Sequence, residues 1–264
     1  MNLEKRLLEI CEEGAEDAGK ALLKLFRSHR ISTRRKSDYQ GSIVTNADLD
    51  AERVILSKIK KSRIKCTVNS EEAGIIDFGS RDIVWAVDPL DGTLNYAKEI
   101  PYFAVSIGVL VLGRASVGVI YNPILDQMFT SIRGHGSSLN GKRIHVSRAR
   151  SLVNSTLIFD WWQPERSIPD PLALARRMYR YTKSMRSPGS VALNLCSVAS
   201  GKFDGLVTVY RKAPVYETAA GCLIAQEAGG RLTNSIGESW EGFSRSLIAG
   251  NSAIHGQLMR LIRR

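Results

Sequence analysis

Two aspartates three positions apart carry the densest chemical signal in the chain, in Val87-Asp88-Pro89-Leu90-Asp91-Gly92-Thr93. Residues 83–87 before them are apolar on both faces, as a buried strand is. Pro89 then fixes the exit of the chain. Carboxylates so spaced at a strand end can share one cation or bridge two. The amides of Gly92 and Thr93, where a short helix can open, can meet a phosphate oxygen. The same residues also suit an Asp-Pro turn with an Asx cap, which needs no ligand.

Two further acidic groups change that balance. Val44-Thr45-Asn46-Ala47-Asp48 puts Asp48 in the first turn of a helix, where the dipole favours a carboxylate. Ser70-Glu71-Glu72 ends a strand. Alone, the first reads as an ordinary helix-start acid and the second as a solvated loop. Together with Asp88 and Asp91 they supply hard oxygen donors at element ends, a set that suits Mg²⁺. No His or Cys ligand motif is present, which disfavours zinc.

The elements that must hold these groups follow from apolar spacing. Leu3, Leu7, Ile10, Cys11, Ala18, Leu22 and Leu25 recur at helical intervals, predicting one amphipathic helix over 2–28. Residues 30–41 read as a polar loop. Thr45 is a suitable N-cap for a helix over 47–61, and 66–68 is a short strand. Residues 103–112 and 115–121 form a hairpin, and 126–132 the next strand. Asn140-Gly141 is a type I′ hairpin signal. Beyond it, strands at 156–159, 183–186, 206–210 and 246–249 alternate with helices starting at Pro171, Ser190, Glu217 and Ser252. The expected architecture is layered α/β: a helix pair with an antiparallel sheet over 1–137, then a mixed α/β half over 138–264.

Several segments match a family in order and spacing. They are residues 44–48, Glu71-Glu72, Trp85-Ala86-Val87-Asp88-Pro89-Leu90-Asp91-Gly92-Thr93-Leu94-Asn95-Tyr96, Arg186-Ser187-Pro188-Gly189-Ser190 and Glu227-Ala228-Gly229-Gly230. Over nearly the whole chain the sequence resembles the inositol monophosphatase superfamily. Residues 205–211 look like the archaeal-type enzymes that hydrolyse both inositol 1-phosphate and fructose 1,6-bisphosphate. The resemblance implies the αβαβα sugar-phosphatase fold and two or three Mg²⁺ ions held by Glu71, Asp88, the Leu90 carbonyl, Asp91 and Glu217. Glu71 counts there as catalytic too, whereas Glu72 faces solvent. Asp48 and Thr93 would hydrogen-bond each other and activate the attacking water for direct in-line displacement. Asp91, Gly92 and Thr93 would hold the phosphate, and Arg186, Val191 and Arg211 match substrate-contacting positions. Family members are commonly dimeric, so a homodimer is expected.

One position departs from the family. Glu217, at the start of a helix, stands where Asp is usual, and its extra methylene changes the reach to a second cation. Lys36, in the 30–41 loop, can close over the site or remain a solvated lysine.

The chain has 264 residues, with Lys+Arg 37 against Asp+Glu 26, a net charge of +11. Its longest apolar run, 103–112, is short of the ~18–20 residues of a spanning helix. The Glu-rich start is unlike a secretory signal, and four scattered cysteines read as reduced thiols of a cytoplasmic protein. The charge raises nucleic acid as a partner. The richest basic stretches, Arg34-Arg35-Lys36 and 58–65, interleave no aromatics, so an anionic sugar phosphate is preferred and nucleic acid set aside. Two competitors remain. One is a 3′-phosphoadenosine 5′-phosphate phosphatase of the same superfamily. The other is an inactive phosphatase-like module that binds RNA or protein.

Overall fold

The computed structural model describes residues 3–28, 31–35, 43–161, 171–240 and 244–263, with the backbone alone at 210–213 and 244–245. Helix α1 (Leu3–Ser28) buries Leu7, Cys11, Ala15, Ala18 and Leu22 along one stripe. Strands β1 (Thr33–Arg35) and β2 (Ile43–Thr45) pair antiparallel, so part of the expected loop is a ladder. Three exposed residues in β1 leave no apolar alternation to read. Helix α2 (Asn46–Lys61) starts at the N-cap Thr45, as its sequence predicts.

Strands β3 (Thr67–Ser70), β4 (Gly74–Asp77) and β5 (Ile83–Asp91) come next, then the short helix α3 (Thr93–Ala97). Five further strands complete the sheet: β6 (Ala104–Val111), β7 (Arg114–Asn122), β8 (Gln127–Ile132), β9 (Gly136–Leu139) and β10 (Lys142–Arg143). They assemble in the order β10-β9-β8-β7-β6-β5-β3-β4, with β3 and β5 the parallel neighbours. The β9–β10 turn has Asn140 at φ 48° and Gly141 at φ 74°, the left-handed pair a type I′ hairpin requires.

The remainder comprises β11 (Thr156–Trp161), α4 (Pro171–Tyr181), β12 (Ser184–Arg186), α5 (Val191–Ala199) and β13 (Gly205–Ala213). It closes with α6 (Val215–Glu227), β14 (Arg231–Thr233), β15 (Ser244–Gly250) and α7 (Ser252–Ile262). Its five-stranded sheet runs β12-β11-β13-β15-β14. β11 is parallel to both neighbours and β15 antiparallel to both of its own.

Strand alternation builds the layers. In β7, Val117, Val119 and Tyr121 face the core of α1 and α2, while Ile120 faces that of α5 and α6. In β13, Leu206 joins the α5/α6 core and Val207 packs with α4 and α7. The layers are therefore α1/α2, first sheet, α5/α6, second sheet, α4/α7, the αβαβα order expected. The middle layer sits tight on its sheet: a Cβ on Gly118 would lie 2.8 Å from the Ala220 carbonyl oxygen. The division placed at 137/138 falls inside β9, and α6 packs on β5, β6 and β7 of the first sheet. No helix among the described residues is long and apolar enough to cross a membrane.

Candidate active site

The end of β5 organises the site. Asp88 pairs with Ser106 of β6 and Asp91 with Ala104, so the register slips between them. In a regular strand residues three apart face opposite sides, and such an irregularity re-aims one of them. Pro89 helps by removing a ladder donor. Asp88 is buried, and its Oδ1 accepts the Leu90 N–H at 3.0 Å. Burial pushes its carboxyl well above the ordinary carboxylate range, and Glu71, Asp91 and Glu217 add to the push.

Asp91 is raised to about 6, by burial first and Glu71 second. Donors at the start of α5 oppose that rise. The Ser190 hydroxyl and the Ala192 N–H, at 2.9 Å, donate to Asp91 Oδ2, and the Val191 N–H adds a third bond. Val191 thus reaches the site through its backbone. Gly92, between Asp91 and the first turn of α3, has φ 93° and ψ 34°.

Asp48 and Thr93 meet across two elements. The capping box of α2 holds Asp48: Oδ2 accepts the Thr45 N–H at 2.8 Å and the Thr45 hydroxyl at 2.6 Å. Asp48 Oδ1 accepts the Thr93 hydroxyl at 3.2 Å, and the Leu90 carbonyl is an alternative acceptor at 3.0 Å. With its proton directed inward, the Thr93 oxygen keeps lone pairs that can take a hydrogen bond from a water.

Glu71 follows β3, and its N–H donates to the Val87 carbonyl at 3.0 Å. The turn carrying it is held by Glu52, whose Oε1 accepts the Ser70 hydroxyl and the Glu72 and Ala73 N–H groups, at 3.2 and 2.9 Å. Glu72 was expected to face solvent. It is half-buried, and its charge acts on Tyr216. Burial first, then Glu71, Glu217, Asp88 and Glu72, raise the Tyr216 phenol. Glu217 itself lies in the first turn of α6.

No group of three or more His, Cys, Asp or Glu among the described residues is drawn together as a cation cage. Glu71, Asp91 and Glu217 nevertheless all act on the buried Asp88, a repulsion that a divalent cation would relieve. An all-oxygen set under such strain fits Mg²⁺. Arg186 is exposed on β12 and lines a pocket of about 430 Å³ with Tyr102, Leu193 and Lys202, none of the four carboxylates lining it. Arg211 is on β13 with its side chain outside the described residues, and Lys36 lies outside them altogether.

The profile of the "Inositol monophosphatase family" matches residues 4–264. The chain belongs to that family. A relative from Pasteurella multocida, named Nus factor SuhB, is 38% identical over 88% of this chain and 86% of its own. The crystal structure of extragenic suppressor protein suhB from Bartonella henselae superposes with TM-score 0.90 at 31% identity, covering 98% of this chain and 99% of that one. The inositol monophosphatase of Anabaena (Nostoc) superposes with TM-score 0.84 at 31% identity over 98% and 96%. The family expectation thus stands, while its narrowing to the archaeal-type dual phosphatases does not follow: the Pasteurella and Bartonella proteins carry the name SuhB and the Anabaena one that of an inositol monophosphatase.

Sequence reasoning passed over three parts of the site region. Glu52 is one helical turn after Asp48, and that spacing was the signal for a second inward carboxylate. Ser190 ends the Arg186-Ser187-Pro188-Gly189-Ser190 segment, where its type suggests only a helix start. Asp160, on β11, is buried and accepts from the Ser187 hydroxyl and the Asn194 amide, while Tyr102 donates to Asn194 Oδ1 at 3.0 Å. Nothing near Asp160 in the sequence announces it.

Proposed function

We propose that the protein is a Mg²⁺-dependent phosphate monoester hydrolase that releases phosphate from inositol 1-phosphate, fructose 1,6-bisphosphate, or both. The observation that carries this reading is the Thr93 hydroxyl on Asp48 Oδ1, beside a carboxylate group whose members repel one another. Glu71, Asp88, the Leu90 carbonyl, Asp91 and Glu217 would hold two or three Mg²⁺ ions. Bound Mg²⁺ supplies Lewis-acid polarisation of the ester and of water.

The chain's own groups do the rest. Thr93 accepts a hydrogen bond from the attacking water; the water's proton moves to Thr93 Oγ1 as the Thr93 hydroxyl proton moves to Asp48 Oδ1, and the other oxygen of Asp48 is locked by Thr45. Gly92 lets the backbone approach the phosphate without a side chain. Arg186, Val191 and Arg211 are assigned to the sugar end, where a guanidinium bonds two phosphate oxygens at once. The enzyme is further proposed to be cytoplasmic, consistent with four buried free thiols, and to act as a homodimer.

The name Nus factor on the Pasteurella multocida relative favours a second reading, in which the chain also acts as a binding factor. Nucleic acid is therefore not set aside as a partner. The test is phosphate release from inositol 1-phosphate, fructose 1,6-bisphosphate and 3′-phosphoadenosine 5′-phosphate, with and without Mg²⁺. Release of phosphate from either sugar ester only with Mg²⁺ supports the proposal. Preference for the nucleotide, or no turnover at all, overturns it.

A further inference from the structure

The surplus of positive charge is not spread evenly. Residues 171–203 hold Arg176, Arg177, Arg180, Lys183, Arg186 and Lys202 without one Asp or Glu. Residues 242–264 hold Arg245, Arg260, Arg263 and Arg264, again without an acid. The fold brings these two stretches together. Helix α4 packs Leu174, Ala175 and Met178, and α7 packs Ile254 and Leu258, onto the outer face of the second sheet.

On those helices Arg176, Arg180, Arg260 and Arg263 are exposed, and none has a carboxylate partner among the described residues; Arg263 donates to the Ile236 carbonyl, so the cations facing solvent on α4 are Arg176 and Arg180. Arg177 is fixed against the end of α7, its Nη1 donating to the Leu261 carbonyl at 3.1 Å. A cavity of about 610 Å³ lies along α4 beside Leu261 of α7, lined by Leu172, Arg176, Arg177, Arg180 and Tyr181. Like charges one helical turn apart, as Arg176 and Arg180 are, destabilise a free helix slightly. A polyanion laid across them removes that cost.

Aromatics supply the second, independent observation. Tyr179 is 74% exposed and Tyr181 46%. Arg176 and Tyr179 are three apart, Arg177 and Tyr181 four, so each tyrosine neighbours an arginine on the helix surface. The run Arg176-Arg177-Met178-Tyr179-Arg180-Tyr181 is therefore a basic segment with interleaved aromatics, the pattern that the two richer Lys/Arg stretches lack. Phosphates need cations and unpaired bases need flat faces, and only single strands present both at once.

We propose that the α4/α7 face binds single-stranded nucleic acid. Arg176, Arg177 and Arg180 meet phosphates, while Tyr179 and Tyr181 stack on bases. The second sheet and the α5/α6 layer stand between this face and the Asp88 carboxylates, so the proposal is independent of the phosphatase reading. An acidic protein would satisfy the arginines but leave the tyrosines without bases.

The test measures fluorescence anisotropy of labelled 20-mer oligo-uridine and oligo-thymidine with the full chain across a salt series. The wild type should bind, and the Arg176→Gln/Arg180→Gln variant should lower the log–log salt slope by about 1.4, two phosphate contacts being lost. Tyr179→Ala should weaken binding about tenfold, one stacked base being lost. Arg177 is left intact because it supports α7. Circular dichroism and phosphate release, both expected unchanged in these exposed-site variants, show that folding and the carboxylate site survive. Absence of wild-type binding overturns the proposal, as do variants that bind like wild type. Equal competition by poly-glutamate, with Tyr179→Ala silent, overturns it too.

Discussion

Thr93 has one proton and two acceptors, Asp48 Oδ1 and the Leu90 carbonyl. Its value to a hydrolase is the orientation this imposes on its lone pairs. Thr93→Val keeps the shape and removes the hydroxyl. Phosphate release should fall roughly 10²–10⁴-fold, the range for a lost acid–base relay, while the melting temperature stays close to wild type. Glu217 poses a different question, because its chain is one methylene longer than the family's usual Asp. It acts on Asp88 from the first turn of α6. Glu217→Gln removes the charge at constant size and should raise the half-saturating Mg²⁺ concentration roughly tenfold or more. A Mg²⁺ titration with unchanged midpoint would remove Glu217 from the ligand set.

At the scale of elements, the β5–α3 junction depends on one backbone conformation. Gly92 has φ 93°, and a Cβ there would sit 3.0 Å from the Tyr102 carbonyl oxygen. Gly92→Ala should cost about 1–2 kcal/mol in denaturant unfolding and depress turnover by displacing Thr93. A second junction, between β14 and α7, is set by His255. Its Nε2 lies 2.9 Å from the Thr233 hydroxyl, and burial with Arg231 nearby pushes the imidazole down to about 4. The unfolded chain takes up this proton near pH 6.5 and the folded one only near 4. The unfolded state therefore holds more protons between those values, and stability falls as pH drops through that window. Thermal melts should show a smaller loss between pH 7 and 5 for His255→Gln than for wild type. Elements with strong periodicity or explicit caps were legible: α1, α2 behind Thr45, the β6–β7 hairpin and the Asn140-Gly141 turn. β1, β4 and β14 were not. They are three or four residues long, and their existence depends on a neighbour's edge rather than on their own pattern. The acids at element ends were visible in the same way, while Glu52 and Asp160 emerge only from the turn and the helix each one holds.

Across the whole molecule, the carboxylate site joins the first sheet to the α5/α6 layer. Glu71, Asp88 and Asp91 belong to the first sheet and its edges, Glu217 to the helix layer between. A cation held by all four would bind only the assembled form, so Mg²⁺ at one hundred times its dissociation constant should stabilise the protein by about 2.7 kcal/mol. Calorimetry checks this through a rise in melting temperature that Glu217→Gln reduces. Even without a cation, Asp91 takes the Ser190 hydroxyl and the Ala192 N–H from α5. Those partners are 99 and 101 positions away along the chain. Closing so long a loop is entropically slow and comes after local hairpins and helices. A nascent or half-refolded chain with its first sheet complete should thus still have Asp91 unclasped, so the proposed hydrolysis would be among the last properties gained in folding, which phosphate release followed during refolding would check.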